Sequence, residues 1–240
     1  MATRRVLPIV DAVAQTVDTG PLSPARSERR RGPAGPRVPE RRRVRLGLHD
    51  ELVKVGSHIA YFWENAGEFR EGVRFLEMGL AEGDFCVIFG HDDGNRRVLE
   101  TLTASGHDCT QLEAQRRIVV VRGDTDAKTM LSNIGNTFTD AVNSGARLIR
   151  LLGNIGWGQD GWPTETNILE FEARVTGAAK AFPCVVVCMY DVQALPGRVM
   201  LHGAFETHPL TFCGNVMRQN THYVEPEQFL SGLRQREEKI

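Results

Sequence analysis

The stretch Asp84-Phe85-Cys86-Val87-Ile88-Phe89-Gly90-His91-Asp92-Asp93-Gly94-Asn95 decides the fold. Its first half is a nearly continuous apolar run, as expected for a central strand of a parallel sheet buried on both faces. A short polar loop follows, and Asn95–Ser105 then reads as a helix closed by Gly106. Working outward, the same alternation recurs. His58–Trp63 is short, apolar and aromatic, a strand. Asn65 caps the next helix with Glu68 at capping-box spacing. Phe69, Val73, Leu76 and Leu80 keep its 3.6 period until Gly83 stops it. Downstream, strands are expected at Arg117–Val121, Arg147–Leu152 and Cys184–Tyr190, with helices at Asp126–Ser144 and Thr164–Phe182. Pro196 opens a further helix, Leu210–Cys213 is expected as an edge strand and Pro226–Leu233 as a terminal helix. Strands alternating with long helices imply right-handed crossovers. The fold class is therefore α/β, one domain over residues 55–235. A mostly parallel central sheet is flanked by helices on both faces, in three layers.

The chain has 240 residues and a formal net charge of -1. That neutrality is a sum of opposites. Residues 1–45 hold eleven Arg, no Lys and four acids, and six of the eleven prolines. The remainder carries eighteen basic and 26 acidic residues. Residues 1–50 are expected to be a disordered basic tail, too polar and Pro-rich to bury a core. The acidic body disfavours direct nucleic-acid binding and leaves the tail as the one segment able to attempt it, weakly. No run approaches the roughly 18 to 20 apolar residues of a membrane span. No signal peptide is legible, so the expected location is the cytoplasm, and five cysteines do not make a disulfide framework.

Ligands of open α/β sheets bind beyond the carboxyl ends of the strands. Reading the strand ends and loops selects His58, Tyr61, Trp63, Arg150, Asn154, Trp157, Cys188, Tyr190, Asp191 and His208 as candidate ligand-binding residues. Aromatic walls with a few polar groups suit a small-molecule pocket. Arg150 would supply a fixed charge, and Asp191 and the histidines polar contacts. The loop after the deciding strand, Gly90-His91-Asp92-Asp93-Gly94-Asn95-Arg96-Arg97, is where a phosphate cradle would lie. It has two acids, no Lys and no Ser/Thr, so P-loop hydrolysis of ATP is not expected and no catalytic residues are assigned. Weak nucleotide binding through Arg96 or Arg97 stays open. Without CxxC or HxxxH spacing, Cys184 and Cys188 read as buried thiols rather than metal ligands. No cofactor is expected.

Several segments in order resemble one family. They are His58-Ile59-Ala60-Tyr61-Phe62-Trp63-Glu64, Phe75 to Asp84, Arg150 to Trp157, Leu169-Glu170-Phe171-Glu172, Cys188-Met189-Tyr190-Asp191, Thr207-His208-Pro209-Leu210 and Tyr223 to Leu230. Together they are similar to the MEDS domain, the sensory domain of methanogens and methylotrophs of the dichloromethane-regulator type. The resemblance runs from about residue 55 to 231. It implies a fold akin to RecA- and KaiC-type domains with a degenerate P-loop. It also implies sensing of small hydrocarbon derivatives, coupled to histidine kinases, anti-sigma circuits or transcription regulators. Ala60, Trp63 and Asn154 stand where the family often has Cys, Tyr and Glu. The expected function is a cytoplasmic signal-sensing domain that binds a small organic ligand and regulates a protein partner. The alternatives are a ligand-free interaction module and a degenerate nucleotide-binding relative, and a homodimer stays open.

Overall fold

A computed structural model describes residues 42–123 and 126–237. Strands β1 (Arg43–Arg45) and β2 (Leu52–Lys54) form an antiparallel hairpin. The body then alternates β3 (His58–Trp63), α1 (Ala66–Glu82), β4 (Phe85–Gly90), α2 (Asp92–Ala104), α3 (Cys109–Ala114), β5 (Ile118–Arg122), α4 (Ala127–Asn143), β6 (Ile149–Asn154), α5 (Glu165–Ala181) and β7 (Cys184–Asp191). A short helix α6 (Gly197–Val199) winds on into a π-helical turn (Met200–Phe205), and β8 (Leu210–Cys213), β9 (Val216–Gln219) and α7 (Pro226–Glu237) complete the chain. The seven-stranded sheet has the order β5-β4-β6-β7-β3-β8-β9, parallel throughout except for β8 with β9. This is the three-layer α/β architecture that the alternation implied.

Local chemistry sets the element ends. Asn65 Oδ1 accepts from the Gly67 and Glu68 amides, at 2.9 and 3.1 Å, and Gly83 closes α1 with a φ of 79°. Glu68 reaches back to the Glu64 amide at 2.7 Å, one residue before the cap. α2 starts at Asp92 rather than Asn95, because the His91 imidazole accepts from the Gly94 amide at 3.2 Å and so caps an earlier turn. β8 is interior rather than an edge, since the antiparallel strand β9 covers its outer side.

Residues 43–48, expected to belong to a disordered tail, are folded. Leu46 and Leu48 are fully buried beside the β1–β2 hairpin and join the core under α1. Arg-rich composition hid these two anchors. Residues 1–41, which carry most of the basic tail, lie outside the described residues.

The sheet divides the core in two. On one face Ile59, Tyr61, Val185, Val187 and Met189 pack with α1 and α2. On the other Ala60, Phe62, Val186, Cys188 and Tyr190 pack with α4, α5 and α7. Each strand thus sends alternate residues to opposite layers. The α1 face holds one buried cation. Arg150 is 1% exposed; its Nε donates to Asp84 at 2.8 Å and its Nη1 to the Leu46 carbonyl at 3.0 Å. Gly79 makes room for it, as a Cβ there would come within 2.5 Å of Arg150 Cδ. Arg150 therefore ties β6 and α1 to the segment that follows β1.

Replacing Arg150 by Met leaves Asp84 buried without its partner, and breaking such a pair costs about 3–5 kcal/mol. The Arg150→Met chain is expected to unfold at a correspondingly lower urea midpoint, read by circular dichroism.

Candidate functional site

Under α5, on the opposite face from Arg150, four chemically active side chains meet. His58 opens β3, Cys188 lies in β7, Glu172 lies on α5 and His208 lies between the π-helical turn and β8. All four are buried, and their nitrogen, sulfur and oxygen atoms lie within 4.8 Å of one another. His58 Nε2 is 3.3 Å from Cys188 Sγ and 3.5 Å from Glu172 Oε2. His208 Nε2 is 3.6 Å from the same Glu172 oxygen, and Cys188 Sγ is 3.7 Å from it.

The surroundings fix which imidazole nitrogens carry protons. Thr176 sits one helical turn after Glu172, so both face the sheet. Its hydroxyl donates to the Thr207 carbonyl at 2.9 Å, so its oxygen accepts from His58 Nδ1 at 2.8 Å. His58 Nε2 is then the bare nitrogen. His208 Nδ1 lies 3.0 Å from the Ala204 carbonyl, which can only accept. Thr207, whose hydroxyl donates to the Gly203 carbonyl, also lies 2.9 Å from His208 Nδ1. His208 Nε2 is therefore bare too, and it has no hydrogen-bond partner among the described residues. The Tyr190 hydroxyl donates to Glu172 Oε1 at 3.0 Å.

Burial dominates the proton affinities. It lowers His58 to about 3. It lowers His208 to about 3 as well, with neighbouring His58 acting in the same sense and Glu172 against it. The Glu172 carboxyl is raised by burial, against the opposing pull of His208, Tyr190 and Cys188. The Cys188 thiol and the Tyr190 phenol are pushed up by burial and then by Glu172. Burial thus favours the neutral form of each of these groups.

Four of the ten residues selected from the sequence converge here: His58, Cys188, Tyr190 and His208. The others lie elsewhere. Tyr61 faces α1 and donates to the Glu68 carbonyl at 2.7 Å. Trp63 meets Phe69 edge to face and lies under the Arg97 guanidinium. Arg150 is held by Asp84 as described. Asn154 ends β6 against Gly90 and Gly94. Trp157 packs over Gly203, and Asp191 accepts from the Gln193 and Ala194 amides. Glu172, Thr176 and Thr207 were missed. The signal for the first two was periodicity: four and eight residues after buried Ile168, they fall on the inward stripe of α5.

Among the described residues, three of the openings near these elements bear on ligand binding. The largest, about 470 Å³, lies at the amino ends of β4 and β5 and touches none of the selected residues. A second, about 320 Å³, lies at the carboxyl end of β4, where Asp92, Asp93 and Asp160 oppose anion binding. Arg122 there is paired with Asp92, and Arg96 with Asp93. The third is an apolar slit of about 20 Å³ between α4, α5 and the sheet, walled by residues such as Ile134, Phe171 and Val175 and reaching Cys188.

Comparison with known families places this α/β domain in a sensory class. Residues 57–209, more than half of the chain, match MEDS, the methanogen/methylotroph, DcmR sensory domain, and the chain belongs to this family. Among individual proteins it is similar to the transcriptional repressor DcmR of Methylorubrum extorquens (strain DSM 6343 / CIP 106787 / DM4), at 24% identity over 168 residues. That match covers 70% of this chain and 61% of the repressor. The family and this relative support a signal-sensing, regulatory role. Among the described residues no helix is long and apolar enough to cross a membrane.

Tyr190→Phe leaves a buried Glu172 oxygen without its donor, a loss of about 1–3 kcal/mol. Tyr61→Phe removes a half-buried bond to a carbonyl and costs about 0.5–1.5 kcal/mol. Urea unfolding of the two variants is expected to rank them in that order.

Proposed function

We propose that this chain is the sensing part of a cytoplasmic regulatory system. A small organic molecule widens and fills the narrow apolar slit beside Cys188, the buried cluster responds to it, and the occupied state is passed to a protein partner. The observation that carries this reading is the slit itself. Its walls are apolar side chains from β4, α4, β6, α5 and β7, and its lining includes Cys188 of the polar cluster. Such a lining selects a compact, weakly polar molecule such as a short hydrocarbon derivative over a nucleotide. The acidic opening beyond β4 speaks against a phosphate ligand. Membership of a sensory family and similarity to a repressor support a regulatory output. A histidine kinase, an anti-sigma component or a transcription regulator fits as the partner.

Thermal unfolding of the purified chain in a series of short halogenated and oxygenated alkanes tests this. At least one compound is expected to raise Tm saturably. Val175→Phe, which fills the slit, is expected to abolish that response while the unligated chain still unfolds cooperatively. No response across the series, or a response that survives Val175→Phe, would overturn the reading.

A further inference from the structure

We propose that His58 Nε2, His208 Nε2, Cys188 Sγ and one carboxylate oxygen of Glu172 bind a single divalent transition-metal ion of the Zn²⁺ type. The inference rests on the geometry of these four residues and not on the identity of any organic ligand, so either proposal can fail without the other.

Distance is the first argument. Metal bonds of about 2.0–2.1 Å to nitrogen, 2.3 Å to sulfur and 2.0–2.2 Å to oxygen, set tetrahedrally, place neighbouring ligand atoms about 3.4–3.6 Å apart. Four of the six separations here are 3.3 Å for His58 to Cys188, 3.5 Å for His58 to Glu172, 3.6 Å for His208 to Glu172 and 3.7 Å for Cys188 to Glu172, and all six lie within 4.8 Å. The imidazole–carboxylate separations are too long for direct hydrogen bonds, which fall at about 2.7–3.2 Å. The Cys188 thiol hydrogen-bonds to His58 Nε2 and to Glu172, while the two imidazole–carboxylate pairs stand at a spacing that serves a shared ion better than it serves one another.

Lone pairs are the second. Metal-binding imidazoles donate their second N–H to a fixed acceptor, which sets the tautomer. Both histidines do so: His58 Nδ1 to Thr176, and His208 Nδ1 to the Ala204 carbonyl. Both bare Nε2 atoms are in the cluster, and that of His208 has no hydrogen-bond partner among the described residues. Tyr190 holds the far oxygen of Glu172 and leaves the near one for the ion.

Charge is the third. An isolated carboxylate in a dry core is costly. A divalent cation with one thiolate, one carboxylate and two neutral imidazoles forms a site of zero net charge. Binding releases the Cys188 thiol proton, and any proton held by Glu172, to solvent as the metal–ligand bonds form. Imidazole and thiolate donors favour Zn²⁺ over Mg²⁺ or Ca²⁺, which take oxygen. The four protein ligands would close the coordination sphere, as in structural zinc sites.

The test uses the untagged full chain. It is unfolded with denaturant and chelator, refolded with Zn²⁺ and desalted, and its metal content is measured by mass spectrometry. About one equivalent per chain is expected, as a closed four-ligand site holds one ion. X-ray absorption at the zinc edge is expected to show one sulfur and three nitrogen or oxygen neighbours. Refolding with Co²⁺ should give the visible bands of a tetrahedral ion and a thiolate-to-metal charge-transfer band. That band should vanish in Cys188→Ser and persist when the more accessible thiols are removed in Cys109→Ser/Cys213→Ser. No stoichiometric metal, a first shell with no sulfur or with several, or a charge-transfer band that survives Cys188→Ser would each overturn the proposal. The zinc-edge measurement needs only the wild-type chain, so poor folding of a variant does not remove the test.

Discussion

The parallel pairing of β3 with β7 sets His58 opposite Val186 and Ala60 opposite Cys188. The α5 face depends on that register. Side chains alternate along a strand, so a slip of one residue would turn His58 toward α1 and leave Cys188 and Glu172 facing apolar groups. The register is enforced by burial on both faces. Ile59 and Tyr61 are buried under α1 while Ala60 and Phe62 are buried under α5, and the flanking strands β7 and β8 hold the ladder on both sides.

Each layer of the core contains polar groups, and the two layers treat them differently. Beneath α1, Arg150 meets Asp84 and two main-chain carbonyls at bonding distance, so its donors are used. Beneath α5, the outer rim of the cluster is bonded through Thr176, Thr207, Ala204 and Tyr190, whereas at the centre only the Cys188 thiol is hydrogen-bonded and the imidazole–carboxylate pairs stand farther apart. A satisfied rim around an under-satisfied centre differs from an ordinary structural polar network, in which bonding extends throughout.

The layer arrangement was legible because it is written in short-range patterns. Apolar runs such as Cys184–Tyr190 and the 3.6 period of Phe69, Val73, Leu76 and Leu80 each need only a window of sequence. The site was legible in part. His58, Cys188 and Tyr190 stood out at strand positions and His208 just ahead of one, but no local spacing links residues so far apart in the chain. Glu172 was hidden by its type, since a Glu within a helix ordinarily reads as solvent-facing, although its distance from Ile168 and Phe171 placed it inward. Arg150 was selected as a pocket charge because the sequence does not say which sheet face an alternate residue takes relative to its partners. In the fold its charge meets Asp84. The hairpin at Arg43–Lys54 was obscured by arginines whose neighbours, Leu46 and Leu48, anchor the core.

The long separations within the cluster also bear on how the chain assembles. The bonds from His58 to Thr176 and to Cys188 close loops of 118 and 130 residues. Ordering so much chain before a contact forms is entropically unfavourable, and such contacts come with or after the sheet that brings them together. Since His208 follows β7 and the π-helical turn, a nascent chain has no complete cluster until nearly all of the domain has emerged and threaded correctly. Anything that binds all four side chains at once therefore stabilises the finished topology over its partly folded precursors. The cluster acts as a clasp that fastens β3, where the sheet begins in chain order, to the segment leading into β8.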